Sequence, residues 1–326
     1  MPESEPINNK QSEKEAQGLA LLQEIEELRS KATTQEDHEA VARKIHELKE
    51  LFRITPTYGE LSASMIEAKE IMNKDSEAGF FGPEEIKTAL GIEGEIDIPE
   101  IPFSKAELER AKELDQFLIL RMPMSMQQIN GQLGGKVKDG QKLTYSFNPE
   151  TGKLEDNCWY KDEGFYIAEQ TRAGWALVSK ELVPNTTSKN YLEQTQELVE
   201  YLANRVFAPG PMPTEYKEAI SEFLEQKGII EGLLNSDWKQ ASEMLTNLKI
   251  TKLTRQNPAE TLYDLAVYFQ TTGERLLPNV YTWTSRRDSS GRLVLVGDFD
   301  SDGVDVSGAL PGGSDDGLGV SFSRSR

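Results

Sequence analysis

Three aspartates at alternate positions, Asp298, Asp300 and Asp302, followed by Gly303, are the residues of this 326-residue chain whose type and spacing point most directly to chemistry. A calcium loop opens with that pattern, because a hard cation takes carboxylate oxygens from alternate positions of a tight turn. The second half of such a loop is missing: the twelfth position, where a bidentate Glu belongs, is Ala309, and strand-forming residues flank the segment where helices should. The competing expectation is a hairpin in which Asp300-Ser301-Asp302-Gly303 reverses the chain, with Asp-Gly supplying a positive φ at low cost. The expectation is no cofactor and no dedicated metal site, with calcium at Asp298, Asp300 and Asp302 as the alternative.

Other reactive side chains are sparse. Cys158 is the single cysteine, so neither an internal disulfide nor a thiolate metal cluster can form, and a lone cysteine among Asn157, Trp159 and Tyr160 reads as a small buried hydrophobe. Both histidines, His38 and His46, stand among Glu and Lys in a helical stretch, with no carboxylate spacing that suggests a metal. Paired carboxylates such as Asp300 and Asp302 could act as acid and base, yet nothing locally apolar would raise one pKa above the other. These absences argue against an enzyme.

A net charge of −19 disfavours phosphate backbones and anionic membranes as partners. No Lys/Arg run offsets it; the densest cluster is Arg286-Arg287. The first residues carry no basic start followed by an apolar run, and no later segment approaches a membrane span, so a cytoplasmic protein is expected, with surface display by another route left open.

The elements that must position these residues follow from periodicity. Leu19, Leu22, Ile25 and Leu28, then Val41, Ile45, Leu48 and Leu51, recur at three and four, which predicts two helices between Gln11 and Phe52. Helices are also expected over Tyr58–Met72 and Pro83–Leu90. Pro99 and Pro102 make 96–103 an extended linker between a helical N-terminal region, 1–95, and a second domain, 104–326. Ser104 with Glu107 forms a capping box for a helix through Leu120. Leu143–Phe147, Trp159–Ile167 and Trp175–Val178 read as strands of a small antiparallel meander. Helices follow at Lys189–Phe207, Thr214–Gln226, Ile229–Leu234, Trp238–Leu245 and Pro258–Arg275, the last capped by Asn257 with Pro258 in its first turn. Strands are expected at Val280–Ser285, Arg292–Phe299, Gly303–Ser307 and Leu318–Ser323, giving an α+β chain.

The tail has an unusual composition. Residues 288–326 contain no Lys, Glu, Gln, Met, Trp, Thr, Asn or His, although Lys, Glu and Gln are frequent before them. A flexible Asp/Ser/Gly tail would explain the polar residues. It would not explain Leu293-Val294-Leu295-Val296, Val304, Val306 and Leu318-Gly319-Val320-Ser321-Phe322, which are strand cores separated by turn residues. An ordered sheet with polar decoration is the better reading.

Tyr281-Thr282-Trp283-Thr284-Ser285-Arg286, Gly291-Arg292-Leu293-Val294, Val296-Gly297, Phe299-Asp300-Ser301, Gly303-Val304 and Leu318–Ser325 resemble the C-terminus of variable proteins diversified by retroelements. In that family adenine-directed mutagenesis cannot create Lys, Glu, Gln, Met or Trp at varied codons, and those types are missing here. The resemblance covers Leu248–Arg326 and, loosely, Trp175–Asn190; Tyr and Asn, frequent at diversified positions in the family, are absent from this tail. It implies a C-type-lectin-like domain with a variable region at 284–326 and no catalysis. Carried over by position, the ligand-binding candidates are Asp288, Ser289, Arg292, Leu295, Asp298, Asp300, Asp302, Asp305, Ser307, Gly308, Ala309, Leu310, Gly312, Gly313, Asp315, Asp316 and Gly317. The framework would be Trp283, Val294, Val296, Phe299, Val304, Val306, Val320 and Phe322.

The implied function is display of a diversified surface to a protein or other surface ligand. Oxidases of the same implied fold use paired cysteines, which one Cys158 cannot supply. A calcium-dependent binding module using Asp298–Asp305 and an assembly protein built on the N-terminal helices are the alternatives.

Overall fold

The computed structural model describes residues 58–74, 78–94, 96 and 98–325, together with 20, 21, 23–25, 27–29, 41 and 44. The chain divides into two compact units, Met1–Ser64 and Met65–Arg326. In the first, the described residues are helical, Ile25 and Val41 are buried, and Lys44 pairs with Glu24 at 3.0 Å. The rest of the expected helix pair, with His38 and His46, lies outside the described residues.

Numbered from the first fully described helix, the elements are α1 (Tyr58–Met72), β1 (Phe80–Phe81), α2 (Pro83–Leu90), α3 (Lys105–Glu113), β2 (Gln116–Arg121), α4 (Met126–Gln132), β3 (Phe147–Asn148), β4 (Lys153–Leu154), α5 (Gly164–Ile167) and β5 (Gly174–Leu182). There follow α6 (Tyr191–Tyr201), continued by a π turn over Leu202–Val206, then α7 (Thr214–Ser236), α8 (Trp238–Asn247), α9 (Lys249–Thr254) and α10 (Pro258–Thr272). The chain ends in β6 (Tyr281–Arg287), β7 (Leu293–Asp300), β8 (Gly303–Ala309), β9 (Leu318–Gly319) and β10 (Ser321–Ser325). The result is mixed α/β, with two four-stranded sheets ordered β1-β2-β5-β10 and β8-β7-β6-β9 and the short hairpin β3-β4.

Several expectations are corrected. The helix from Ser104 does open on its capping box, but it stops at Glu113; Asp115, at φ 52, breaks it, and the next residues form β2. Gln116–Arg121 is buried throughout, and a short apolar run such as Phe117–Leu120 does not distinguish a central strand from a buried helix. Trp159–Ile167 is turn and short helix, its rings meeting edge to face instead of lying along a pleat. The expected meander is absent: β5 pairs antiparallel with β2 and β10. The helices expected at Thr214–Gln226 and Ile229–Leu234 are one, since Gly228 interrupts neither its turns nor its packing. Residues 65–103 belong to the second unit: Phe80 and Phe81 pair in parallel with Leu118 and Ile119, and the Trp175 indole donates to the Pro99 carbonyl at 2.9 Å.

Helix α10 is buried on every side from Pro258 to Phe269, although Glu260, Thr261 and Asp264 lie within that stretch. Its first turn is tied by charge. The Asn257–Glu260 capping box is closed at 2.9 and 2.8 Å, and Glu260 also takes two bonds from the Arg172 guanidinium at 2.6 and 3.0 Å. Arg121 on β2 reaches Asp264 at 3.0 Å, with Glu260 3.6 Å away and Ser323 of β10 at 3.0 Å. Burial opposes the Arg121 charge, but Asp264 and Glu260 outweigh it and hold the guanidinium above its ordinary value. Burial likewise opposes the Glu260 charge; Arg121 and Arg172 overcome it and hold that carboxyl below the usual range. This network joins β2, β10 and α10, so the C-terminal strand is locked to the centre of the unit.

Candidate functional site

The sheet β8-β7-β6 is packed on both faces. Val294, Val296, Val304 and Val306 enter the core shared with β2, β5 and α10, while Trp283, Leu293 and Leu295 enter a second core built by α6 to α9. Strand alternation alone would send Phe299 to the second core with the other odd residues. It joins the first instead, because the ladder slips between Gly297 and Asp300 and Asp298 takes φ 46. A bulge of this kind turns the strand by one residue, and Asp tolerates the left-handed conformation better than most types. Gly297 before it is obligatory: a Cβ there would meet the Val280 carbonyl oxygen at 2.3 Å.

The eight framework residues, Trp283, Val294, Val296, Phe299, Val304, Val306, Val320 and Phe322, are all buried. Most of the ligand-binding candidates are exposed or half-buried, and two are not: Asp288 and Leu295 are each 7% exposed. Leu295 lies in the helical core, and Asp288 closes the β6–β7 turn. Its carboxylate accepts from Ser290 Oγ at 2.7 Å, the Arg292 amide at 2.8 Å and Arg292 Nε at 2.7 Å. Burial raises the Asp288 carboxyl, but these donors more than compensate and hold it below its ordinary value.

The remaining candidates fall into two groups. At the β6–β7 end, Ser289 donates to Glu163 through its amide at 2.9 Å and its hydroxyl at 2.6 Å, and the Arg292 guanidinium lies 5.0 Å above the Trp159 ring. Gly308 faces the same group, since a Cβ on it would stand 3.4 Å from that guanidinium. The second group comprises Asp298, Asp300, Asp302, Asp305, Ser307 and Ala309 on the β7–β8 hairpin, with Leu310, Gly312, Gly313, Asp315, Asp316 and Gly317 on the loop to β9. That loop is anchored, not loose: Pro311 is buried, its carbonyl accepts from the Tyr191 amide at 3.2 Å, and the Asp315 carbonyl accepts from the Ser188 amide at 2.8 Å.

The calcium alternative does not match this geometry. Asp300 accepts from the Asp302 amide at 2.7 Å, an Asx turn within the two-residue hairpin, with Gly303 at φ 109. Asp298 and Asp305 instead flank the Tyr281 hydroxyl, which donates to Asp305 at 2.7 Å with Asp298 at 3.3 Å. Burial and both carboxylates push that hydroxyl far above its ordinary value. Among the described residues, no three His, Cys, Asp or Glu side chains gather to hold a metal ion, and no helix is long and apolar enough to cross a membrane.

Three contributors escaped the sequence: Tyr281, Tyr145 and Trp159. The outer edge of β8 is covered by the chain from Leu143 to Trp159. Val304 exchanges bonds with Leu143 and Tyr145, and the Trp159 indole donates to the Val306 carbonyl at 3.1 Å. Covering an edge strand in this way satisfies carbonyls that would otherwise invite another strand. Beside the other end, α8 and the β6–β7 turn enclose an open polar cleft of about 730 Å³, lined by Lys239, Glu243, Arg287 and Ser289 among others. The chain matches no known protein family, and no curated protein or solved structure is similar to it.

Proposed function

We propose that the chain is a non-catalytic ligand-binding protein whose C-terminal surface is diversified on a C-type-lectin-like domain, like the variable proteins it resembles. The observation that carries this is the division within the tail. Between 288 and 317 the fold draws on the apolar side chains of β7 and β8, on Asp288 and on a few glycines. Apart from Arg292, Leu310 and the buried Pro311, the rest is Asp, Ser and Gly on one hairpin edge and one anchored loop, where a change of side chain disturbs no core. The lectin-like part is supported by topology. Strand β10 returns to pair with β5 at the centre of the first sheet, and the segment between them supplies α6, α10 and the separate sheet β8-β7-β6-β9.

The chemistry of such a surface is recognition. Rigid backbone beneath variable side chains lets binding change without refolding, and the ordering entropy has already been spent when the partner arrives. The test is to sequence the 3′ end of the gene across many cells of its source population. Substitutions confined to the exposed tail positions, with Trp283 and the buried valines fixed, are expected. An invariant tail would sink the diversified surface.

A further inference from the structure

The tail candidates are small and acidic, and a surface of that composition lacks the aromatic side chains that anchor most protein interfaces. Two such side chains stand directly beside it, supplied from far upstream. Trp159 is 39% exposed and Tyr145 56%, unusual exposure for rings of that size. Trp159 is held through its ring and Tyr145 through its main chain. The Trp159 indole donates to the Val306 carbonyl and the Tyr145 amide to the Val304 carbonyl, so both ride on the outer edge of β8 at carbonyls two residues, or roughly 7 Å, apart.

The Trp159 ring adjoins one of the two candidate groups and the Tyr145 backbone the other. Trp159 lies under the Arg292 guanidinium, which also fills the space above Gly308. The Tyr145 backbone packs against Gly303, at 2.9 Å from where a Cβ would stand, next to the Asp300–Asp302 turn. The tail between Arg292 and Arg324 carries six aspartates and no Lys or Arg. Nearby Lys142 faces Glu155 at 3.5 Å.

We propose, resting on the binding reading above, that Trp159 and Tyr145 are fixed anchors of the same interface, and that the partner is a protein whose contacting face is basic around exposed aliphatic side chains. The aspartates select the charge of the partner and steer its approach; the two rings supply the desolvated area that small acidic residues lack. The tail then tunes specificity around anchors that do not vary.

The test uses the full chain and three fluorescein-labelled dodecapeptides, built of alternating Arg and Leu, Arg and Ser, or Glu and Leu, read by fluorescence anisotropy. The Arg/Leu peptide is expected to bind about tenfold more tightly than Arg/Ser, and Glu/Leu not at all; an anchor should cost about fivefold when removed. Tyr145→Ser, whose side chain leaves the hydrogen bonds to β8 intact, should show that loss with an unchanged melting temperature. Trp159→Phe should show it too while keeping a ring against Tyr160. Equal affinity for Arg/Leu and Arg/Ser, no binding of Arg/Leu, or full affinity in Tyr145→Ser would overturn the proposal. An invariant tail with Tyr145-dependent binding removes diversification and leaves the anchors; a varied tail with Tyr145→Ser unimpaired does the reverse.

Discussion

Val306 and Ser307 are neighbours on β8, and opposite fates are expected for them. Val306 is 2% exposed and packs in the α10 core; Ser307 is half-buried and faces the other way, opposite Leu295. Val306→Ala deletes two buried carbons, each contributing about 0.8 kcal/mol by transfer, and leaves a partly unfilled cavity, for a total of about 2–3 kcal/mol. At about 2–4 °C per kcal/mol for a unit of this size, the melting temperature should fall by about 4–12 °C. Ser307→Ala removes only a half-buried hydroxyl on the face it shares with Leu295, and about 0.5 kcal/mol either way, or about 2 °C, is the ordinary range. Circular dichroism melts and urea titrations of the two variants are the assay, with Leu295→Ala as a third. Leu295 sits among the binding candidates by sequence but in the helical core by structure, so it should lose about 2–5 kcal/mol. A Ser307→Ala protein as destabilised as Val306→Ala would refute the division between scaffold and display on which the proposed function stands.

Gly303→Ala should cost several kcal/mol, because φ 109 suits only glycine and the added carbon would lie 2.9 Å from backbone atoms of Thr144 and Tyr145; urea denaturation measures it. Arg121→Met leaves the buried Asp264 without its countercharge, while Glu260 keeps Arg172, and should cost about 3–5 kcal/mol; adding Asp264→Leu should recover part of the loss. Glu260 and Asp288 are both held below the usual carboxylate range, so their stabilising contributions are complete above about pH 4–5 and are lost as pH falls through their lowered values. Unfolding free energies from pH 7 down to 2 should decline, and Asp288→Asn should flatten the acid limb; an equally steep limb in that variant would remove Asp288 from the account.

How much was legible depended on whether local chemistry or distant packing decided each element. The capping boxes at Ser104 and Asn257, Pro258 in a first turn, and the Asp-Gly hairpin at 300–303 are set by nearest neighbours, and each stands where its residues place it. β2 was invisible because Phe117–Leu120 is apolar on both sides, and only the flanking β1 and β5 decide between strand and helix. The bulge at Asp298 is equally silent: nothing in Val296-Gly297-Asp298-Phe299 announces that alternation slips, although Gly297 marks a close backbone approach. Trp159 looked like a strand residue because aromatic content marks both strands and exposed anchors. Its role comes from the β8 edge, 147 residues away.

Packing on both faces of the sheet would limit where the proposed diversification acts. β7 is an inner strand of the sheet: Val294 and Val296 feed one core, Leu293 and Leu295 the other, and Phe299 joins the first past the bulge, so the positions with least packing demand are Arg292 just before the strand and Asp300 at its end. β8 is half-free, and the loop at 310–317 is freest. A mutagenic process acting on codons is blind to that distinction, whereas folding is not. Variants at Leu295 lose core volume, and variants at Asp288 leave the Arg292 amide and guanidinium without the carboxylate that orders the turn. Population sequencing should therefore find substitutions at 288 and 295 depleted relative to 305, 307, 310 and 316, even if all six codons are equally mutable. Equal variation at all six positions would mean that the two buried sites tolerate what their packing forbids, and the assignment of framework and display within the tail would have to be redrawn.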